Sequence, residues 1–281
     1  MSELPDLLVQ AVVRQALAED LGRAGDITSA ACVPPDAQLK AAFATRQEGV
    51  VAGLACARLA IAELDPAARF EVVYCDGARA PAGAVLARVE ADARALLAAE
   101  RTALNLLCRL SGIATLTARF VAETAGTNTR IVDTRKTTPG LRALEKYAVR
   151  CGGGANHRFG LDDAILIKDN HVAACGGVGE AVRRARAAVG HMVRVEVEID
   201  RLDQLDEALA EGPDIVMLDN FSLADLAEAV LRTAGRVLIE ASGGVNLETV
   251  RAIARTGVDL ISVGALTHSA PILDIGLDAQ A

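Results

Sequence analysis

Four apolar runs in the second half of the chain close on a polar or small residue at nearly constant intervals. RVEVEI contains Glu198, DIVML leads to Asp219, VLIEA to Ser242 and DLISV to Gly264, at steps of 21, 23 and 22 residues. Each step is the length of one strand, turn, helix and turn, the period of a β/α barrel. Two earlier runs share the texture, RIVD leading to Thr134 and AILI to Lys168, which gives six strands. The barrel is therefore incomplete, or it holds strands that the pattern does not reveal.

Strand ends in such a barrel converge on one mouth, so Arg135, Lys136, Lys168, Glu198, Asp219 and Ser242 should meet although they are far apart in sequence. The segment from Asp133 to His171 concentrates cations in a chain whose formal net charge is -8. Arg135, Lys136, Arg158 and Lys168 lie beside strand ends or in a glycine-rich turn, where a rigid frame aims side chains at something. An anion site follows, with Arg as a bidentate fork and Lys as a point charge. Arg142, Lys146 and Arg150, at helical spacing around Glu145, read instead as a solvated helix face.

Glu196 and Glu198 are two apart on one strand and share a face. Buried carboxylates need cations or a metal, so with Asp219 they form a candidate Mg²⁺ site, or salt bridges to Lys136 and Lys168. In ASGGVN, Gly243 and Gly244 let backbone amides approach an anion ahead of a helix N-terminus. VGAL, from Val263 to Leu266, comes one strand later, and the pair matches the phosphate position of the last two strands of such barrels. His157, beside Arg158, is either a donor to a substrate oxygen or a structural histidine. Cys151 has no base at defined spacing to make it a nucleophile.

Composition narrows the function classes. The chain has 281 residues, 52% hydrophobic and 23% charged, with 2% aromatics and no Trp. Few stacking platforms and an acidic balance argue against nucleic acid as a partner. No apolar run reaches membrane-spanning length and no secretory leader pattern is present, so the expectation is a cytoplasmic protein with no membrane partner. The six Cys have no paired spacing and read as mostly buried thiols, not as a zinc or disulfide framework.

The first part of the chain reads as a small α+β unit. An amphipathic helix carries Leu7, Leu8, Val12, Val13 and Leu17, followed by strands over Gln38–Arg46, Phe70–Cys75 and Ala84–Ala93, with a helix over Leu54–Leu64 between the first two. A long helix over Arg94–Ala125 has a possible break at Ser111–Gly112 and a polar face of Glu100, Arg101, Asn105 and Arg109. The expected organisation is an N-terminal domain over residues 1–112, a barrel over 113–269, and a tail over 270–281 that packs back on the body.

The stretch DTRKTTPGLRALEKYAVRCGGGANHRFGLDDAILIKDNH, with ERTALNLLCRLSGIAT, VEVEID, LDNF, EASGGVN, SVGALTHS and EDLGRAGDITS, resembles the quinolinate phosphoribosyltransferase family across nearly the whole chain. The resemblance implies an α/β chain built of an N-terminal α+β sandwich and an incomplete, six- or seven-stranded α/β barrel. It implies a homodimer or larger assembly in which Arg101 reaches the neighbouring active site. The implied substrates are quinolinate and phosphoribosyl pyrophosphate, the products nicotinate mononucleotide, pyrophosphate and carbon dioxide, and the cofactor Mg²⁺. By the same resemblance Arg101, Arg135, His157, Arg158 and Lys168 surround the quinolinate carboxylates, and Thr134 and Lys136 line the site. Glu198 and Asp219 handle ribose and metal. Ser242, Gly243, Gly244, Val263, Gly264 and Ala265 take the 5′-phosphate. Lys136, Lys168, Glu198 and Asp219 are the implied catalytic set.

Three other readings compete. One is a transferase of the same fold acting on nicotinate without decarboxylation, which the number of cations disfavours. Another is a Schiff-base aldolase with Lys168 as nucleophile, which would need a depressed pKa. The third is a non-catalytic anion sensor, against which Lys136, Glu198 and Asp219 speak.

Overall fold

A computed structural model describes residues 4–280, so residues 1–3 and 281, where the expected N-terminal domain begins and the tail ends, lie outside it. The strands are β1 (Gln38–Thr45), β2 (Gly49–Val50), β3 (Arg69–Val72), β4 (Arg79–Ala80), β5 (Val85–Asp92) and β6 (Arg130–Val132), then β7 (Ile165–Ile167), β8 (Val195–Ile199), β9 (Ile215–Asp219), β10 (Leu238–Ser242), β11 (Leu260–Ser262) and β12 (Ile275–Ala279). Two compact units interleave along the chain. One takes the residues up to 118, 137–153 and those from 266 onward, and the other takes 119–136 and 154–265.

The first unit is a mixed α+β body. Its main sheet has the order β12-β1-β5-β3, and β2 pairs with β4 as a separate ladder. Phe43 of β1, Leu86 of β5 and Ile61 of the helix Leu54–Leu64 are all fully buried, and that helix packs against the helix Asp6–Leu21. Asp76 accepts the N–H groups of Gly53 and Leu54 at 2.9 and 3.2 Å, which satisfies the open end of the helix Leu54–Leu64 from a distant loop. The C-terminal β12 runs antiparallel to β1, from Ala41 opposite Ala279 to Thr45 opposite Ile275, so the end of the chain is a sheet strand with Leu273 and Ile275 buried.

Two expectations are overturned in this unit. The helix Ala93–Glu123 runs unbroken for 31 residues through Ser111 and Gly112. Gly112 serves close approach: a Cβ there would lie 2.0 Å from the Pro271 carbonyl oxygen, and only glycine fits. Nor is the helix Arg142–Cys151 a solvated charged face, because Glu145 and Lys146 are 0% and 2% exposed. Glu145 tolerates burial because Arg109 reaches it at 2.8 Å and the Thr138 N–H donates to its other oxygen at 3.0 Å. Periodicity located the polar residues without revealing that a second polar face would meet them.

The second unit is the barrel. Six parallel strands lie in the order β6-β11-β10-β9-β8-β7, and every neighbouring pair from β7 to β11 is consecutive in sequence. A single parallel bridge between Val132 and Ala155 extends the edge beside β6. Helices Val178–Ala188, Gln204–Ala210, Leu223–Thr233 and Val250–Ala254 alternate with β8 to β11. On β8, Val195, Val197 and Ile199 are buried on one face, which turns Glu196 and Glu198 to the other.

Among the described residues no helix is long and apolar enough to cross a membrane. All six Cys are free thiols, and the expectation that most are buried is met for only half of them: Cys56, Cys108 and Cys151 are buried, Cys175 is half-buried, and Cys32 and Cys75 are exposed.

Candidate functional site

The strand ends of the barrel open on a cavity of about 610 Å³, lined by Thr134, Arg135, Lys136, His157, Arg158, Lys168, Glu198, Asp219, Ser242, Gly243 and Gly244. Eleven residues singled out by the strand period and the motifs thus share one wall. Val263, Gly264 and Ala265 follow directly on Ser262, where the lining ends. Arg101 is exposed on the helix Ala93–Glu123 and belongs to the first unit.

The cationic side is built on Asp133. This fully buried carboxylate follows β6 and accepts from Asn156 Nδ2 and, at 2.9 Å, from the His157 N–H, which fastens the loop carrying His157 and Arg158 to the end of β6. The next turn, 159–163, is closed by Asp163, whose oxygens accept the N–H groups of Phe159 and Gly160 at 2.6 and 2.9 Å. Burial works against ionisation of Asp163, but those two donors and the Arg158 charge outweigh it and hold its carboxyl below the usual range. Arg158 Nη1 donates to the Ala164 carbonyl at 3.2 Å, which leaves the rest of the fork for the cavity.

Burial, then the neighbouring Arg135 charge, pull the Arg158 guanidinium below its ordinary range, with Glu196 and Asp163 opposing. Arg135 Nε and Arg158 Nε are both buried without a hydrogen bond. Two like charges held together with orphaned donors are costly until an anion joins them. The arrangement is that of a receptor for an acid.

The acidic side comes from β8 and β9. Lys168, just past β7, places Nζ 2.9 Å from Glu198 Oε2. Asp219 Oδ2 accepts from Asn220 Nδ2 at 2.8 Å. Asn220 has φ 59, a left-handed conformation that asparagine tolerates better than most residues, and its N–H donates to the Ser242 carbonyl at 2.9 Å. That bend pushes the Asn220 side chain against Gly243, where a Cβ would lie 2.2 Å from Oδ1 and where φ is +92°. Gly243 is thus required twice over, by conformation and by space. The bare backbone of Gly243 and Gly244 at this strand end is a surface an oxyanion can approach.

Sequence reasoning missed Glu240, Ser262, Asn220, Met217 and Leu166, which also line the cavity. The strand period could have found two of them. Glu240 stands two residues before Ser242 on β10, as Glu196 stands two before Glu198 on β8, and Ser262 stands two before Gly264. Cys151 is buried, and burial with the Asp76 charge pushes its thiol up to about 12, which disfavours the thiolate a nucleophile needs.

Comparison with known proteins agrees with this fold. The family model for the quinolinate phosphoribosyl transferase C-terminal domain matches residues 113–278, and that for the N-terminal domain matches residues 26–111. A nicotinate-nucleotide pyrophosphorylase [carboxylating] from Mycobacterium leprae is 52% identical over 271 residues, covering 95% of each chain. A quinolinate phosphoribosyltransferase [decarboxylating] from Nicotiana glauca is 40% identical over 97% of this chain and 82% of its own. The solved structure of the nicotinate-nucleotide pyrophosphorylase from Francisella tularensis superposes with a TM-score of 0.95 at 43% identity, covering 99% of this chain and 98% of that one.

Proposed function

The chain belongs to the quinolinate phosphoribosyltransferase family and catalyses its decarboxylating transfer in NAD biosynthesis, and we propose that Arg135 and Arg158 seat the two quinolinate carboxylates while Lys136, Lys168, Glu198 and Asp219 act on the ribose and the leaving pyrophosphate. Quinolinate and phosphoribosyl pyrophosphate become nicotinate mononucleotide, pyrophosphate and carbon dioxide. The observation that carries the site assignment is the Arg135–Arg158 pair, whose buried Nε donors have no partner among the described residues. A dicarboxylate supplies two acceptors where a monocarboxylate supplies one.

The pyridine nitrogen displaces pyrophosphate at the anomeric carbon through an oxocarbenium-like transition state. Glu198 and Asp219 place negative charge beside that cation, and Lys136 and Lys168 place positive charge beside the departing phosphates. Once alkylated, the pyridinium accepts the electron pair left by the departing carbon dioxide, and the ring carbon then takes a proton. Strong general-base catalysis is unnecessary. Thr134 shares the wall, and Ser242, Gly243 and Gly244 take the 5′-phosphate with Val263, Gly264 and Ala265 one strand over.

Glu198 and Asp219 suit Mg²⁺. They offer hard carboxylate oxygens from adjacent strands, and each keeps one oxygen outside the bonds to Lys168 and Asn220. Bound there, the ion would neutralise charge on the pyrophosphate. The remaining parts of the reading rest on family membership and composition: a homodimer in which Arg101 completes the neighbouring cavity, a cytoplasmic location, and no nucleic-acid partner for a chain of net charge -8.

The test is carbon dioxide release from carboxyl-labelled quinolinate with Mg²⁺, with and without phosphoribosyl pyrophosphate. Release that needs both substrates and matches nicotinate mononucleotide formed is the expected result. Folded, oligomeric protein that releases none would overturn the reading.

A further inference from the structure

In the wall of the cavity, His157 and Glu240 meet the buried Glu196, and the reaction above gives the two carboxyls no role. His157, Glu196 and Glu240 bring side-chain ligand atoms within 4.8 Å of one another. Glu240 is 0% exposed and Glu196 3%. The Arg158 N–H donates to His157 Nδ1 at 2.7 Å, so Nδ1 carries no proton and Nε2 does. Nε2 donates to Glu196 Oε2 at 2.9 Å and stands 3.8 Å from Glu240 Oε2, too far for a hydrogen bond. With Nε2 protonated, the imidazole is not available as a metal ligand, so the cluster is a proton network.

The charges within it do not balance if both carboxyls are ionised. The His157 ring gives its Nε2–H to Glu196. Glu196 Oε1 and both Glu240 oxygens are buried without a hydrogen bond. The groups facing Glu240 are Glu196 from β8, His157 from the loop after Ala155, Asp133 after β6 and the Ser262 hydroxyl from β11, while its neighbours in register, Met217 and Leu260, are apolar. Among these only His157 can carry positive charge, one group against three carboxyls. Burial first, then the Glu196 and Asp133 charges, raise the Glu240 carboxyl to about 8, with His157 and Ser262 opposing.

We infer that Glu240 is a positioning residue for the quinolinate end of the site: in its acid form it donates a proton to Glu196 and completes a Glu240–Glu196–His157 chain that holds the His157 ring, and through Nδ1 the Arg158 backbone, against the cavity wall. The inference rests on the reading that Arg158 receives a quinolinate carboxylate. Loss of the Glu240 proton would break the chain and leave a second anion beneath a dianionic substrate. Quinolinate binding is therefore the step that suffers, and phosphoribosyl pyrophosphate binding is spared.

The experiment measures KM for each substrate and kcat from pH 6 to 9.5 for wild type, Glu240→Gln and Glu240→Ala. Gln keeps a donor at the same place and cannot ionise. Glu240→Gln should stay within about threefold of wild type near neutrality, and Glu240→Ala should raise the quinolinate KM about tenfold or more with little change in the other KM. Above the Glu240 transition the wild-type quinolinate KM should climb by up to about tenfold per pH unit, and Glu240→Gln should lack that limb. Superimposable wild-type and Glu240→Gln profiles would overturn the inference, as would a Glu240→Ala variant with an unchanged quinolinate KM. If Glu240→Ala does not fold, the Glu240→Gln profile decides alone. Wild-type protein with no quinolinate turnover would remove the functional reading itself and this inference with it, an outcome distinct from active wild type with indifferent variants.

Discussion

Lys168 Nζ stands 2.9 Å from Glu198 Oε2 and ties the end of β7 to β8 at the rim of the cavity. The Lys168 side chain is 50% exposed, so the pair contributes only about 0–1 kcal/mol to stability. Lys168→Met should therefore leave thermal unfolding nearly unchanged while lowering kcat/KM about tenfold or more. The two measurements separate the roles: a large loss of stability with near-normal kinetics would make the pair structural.

Arg135 and Arg158 repel each other until an anion arrives. Arg158→Met should raise the quinolinate KM by the equivalent of about 2–5 kcal/mol, the usual cost of removing one member of a buried charge pair. Because it also relieves repulsion, the unliganded variant should unfold at or above the wild-type temperature. Calorimetry with and without quinolinate checks both parts. Stabilisation by quinolinate that equals wild type would place the carboxylates elsewhere.

Gly243 and Gly244 should respond differently to alanine. At Gly243 a methyl meets Asn220 Oδ1 at 2.2 Å, whereas at Gly244 nothing lies within 4 Å and only φ +61° opposes the change. Gly244→Ala should cost about 1–2 kcal/mol of backbone strain. Gly243→Ala should in addition displace the Asp219–Asn220 turn and raise the KM for phosphoribosyl pyrophosphate. Equal effects of the two substitutions on that KM would argue against a phosphate cradle at this turn.

The strand period made most of the cavity legible, because in a parallel barrel the chain returns to the same mouth once per β/α unit. Arg135, Lys168, Glu198, Asp219 and Ser242 could be brought together from spacing alone. Glu240 could not be placed as easily: its strand reads as apolar, and what marks the residue is its pleat relation to Ser242 together with burial that only packing reveals. Glu145 and Lys146 failed for a related reason. Helical periodicity tells which residues share a face, while the identity of the opposing surface is a tertiary fact. Gly112 shows the same limit, since a breaker and a close-approach glycine look alike until Pro271 is in place.

The protonation of Glu240 also leaves a trace in stability, independent of turnover. Its folded value stands near 8, above the ordinary carboxylate range it has in the unfolded chain, so the folded chain binds this proton more tightly. That contribution is fully present below the ordinary range, falls as the pH climbs, and is gone once the pH passes the folded value. Glu240→Gln lacks this titration. The unfolding free energy of wild type minus that of Glu240→Gln should thus decline between about pH 5 and pH 8, at up to about 1.4 kcal/mol per unit, and level off beyond. Urea titrations at half-unit pH steps give the difference directly. A difference that is flat or rises over this range would mean that Glu240 is ionised in the folded chain, with its charge met by a partner other than a proton.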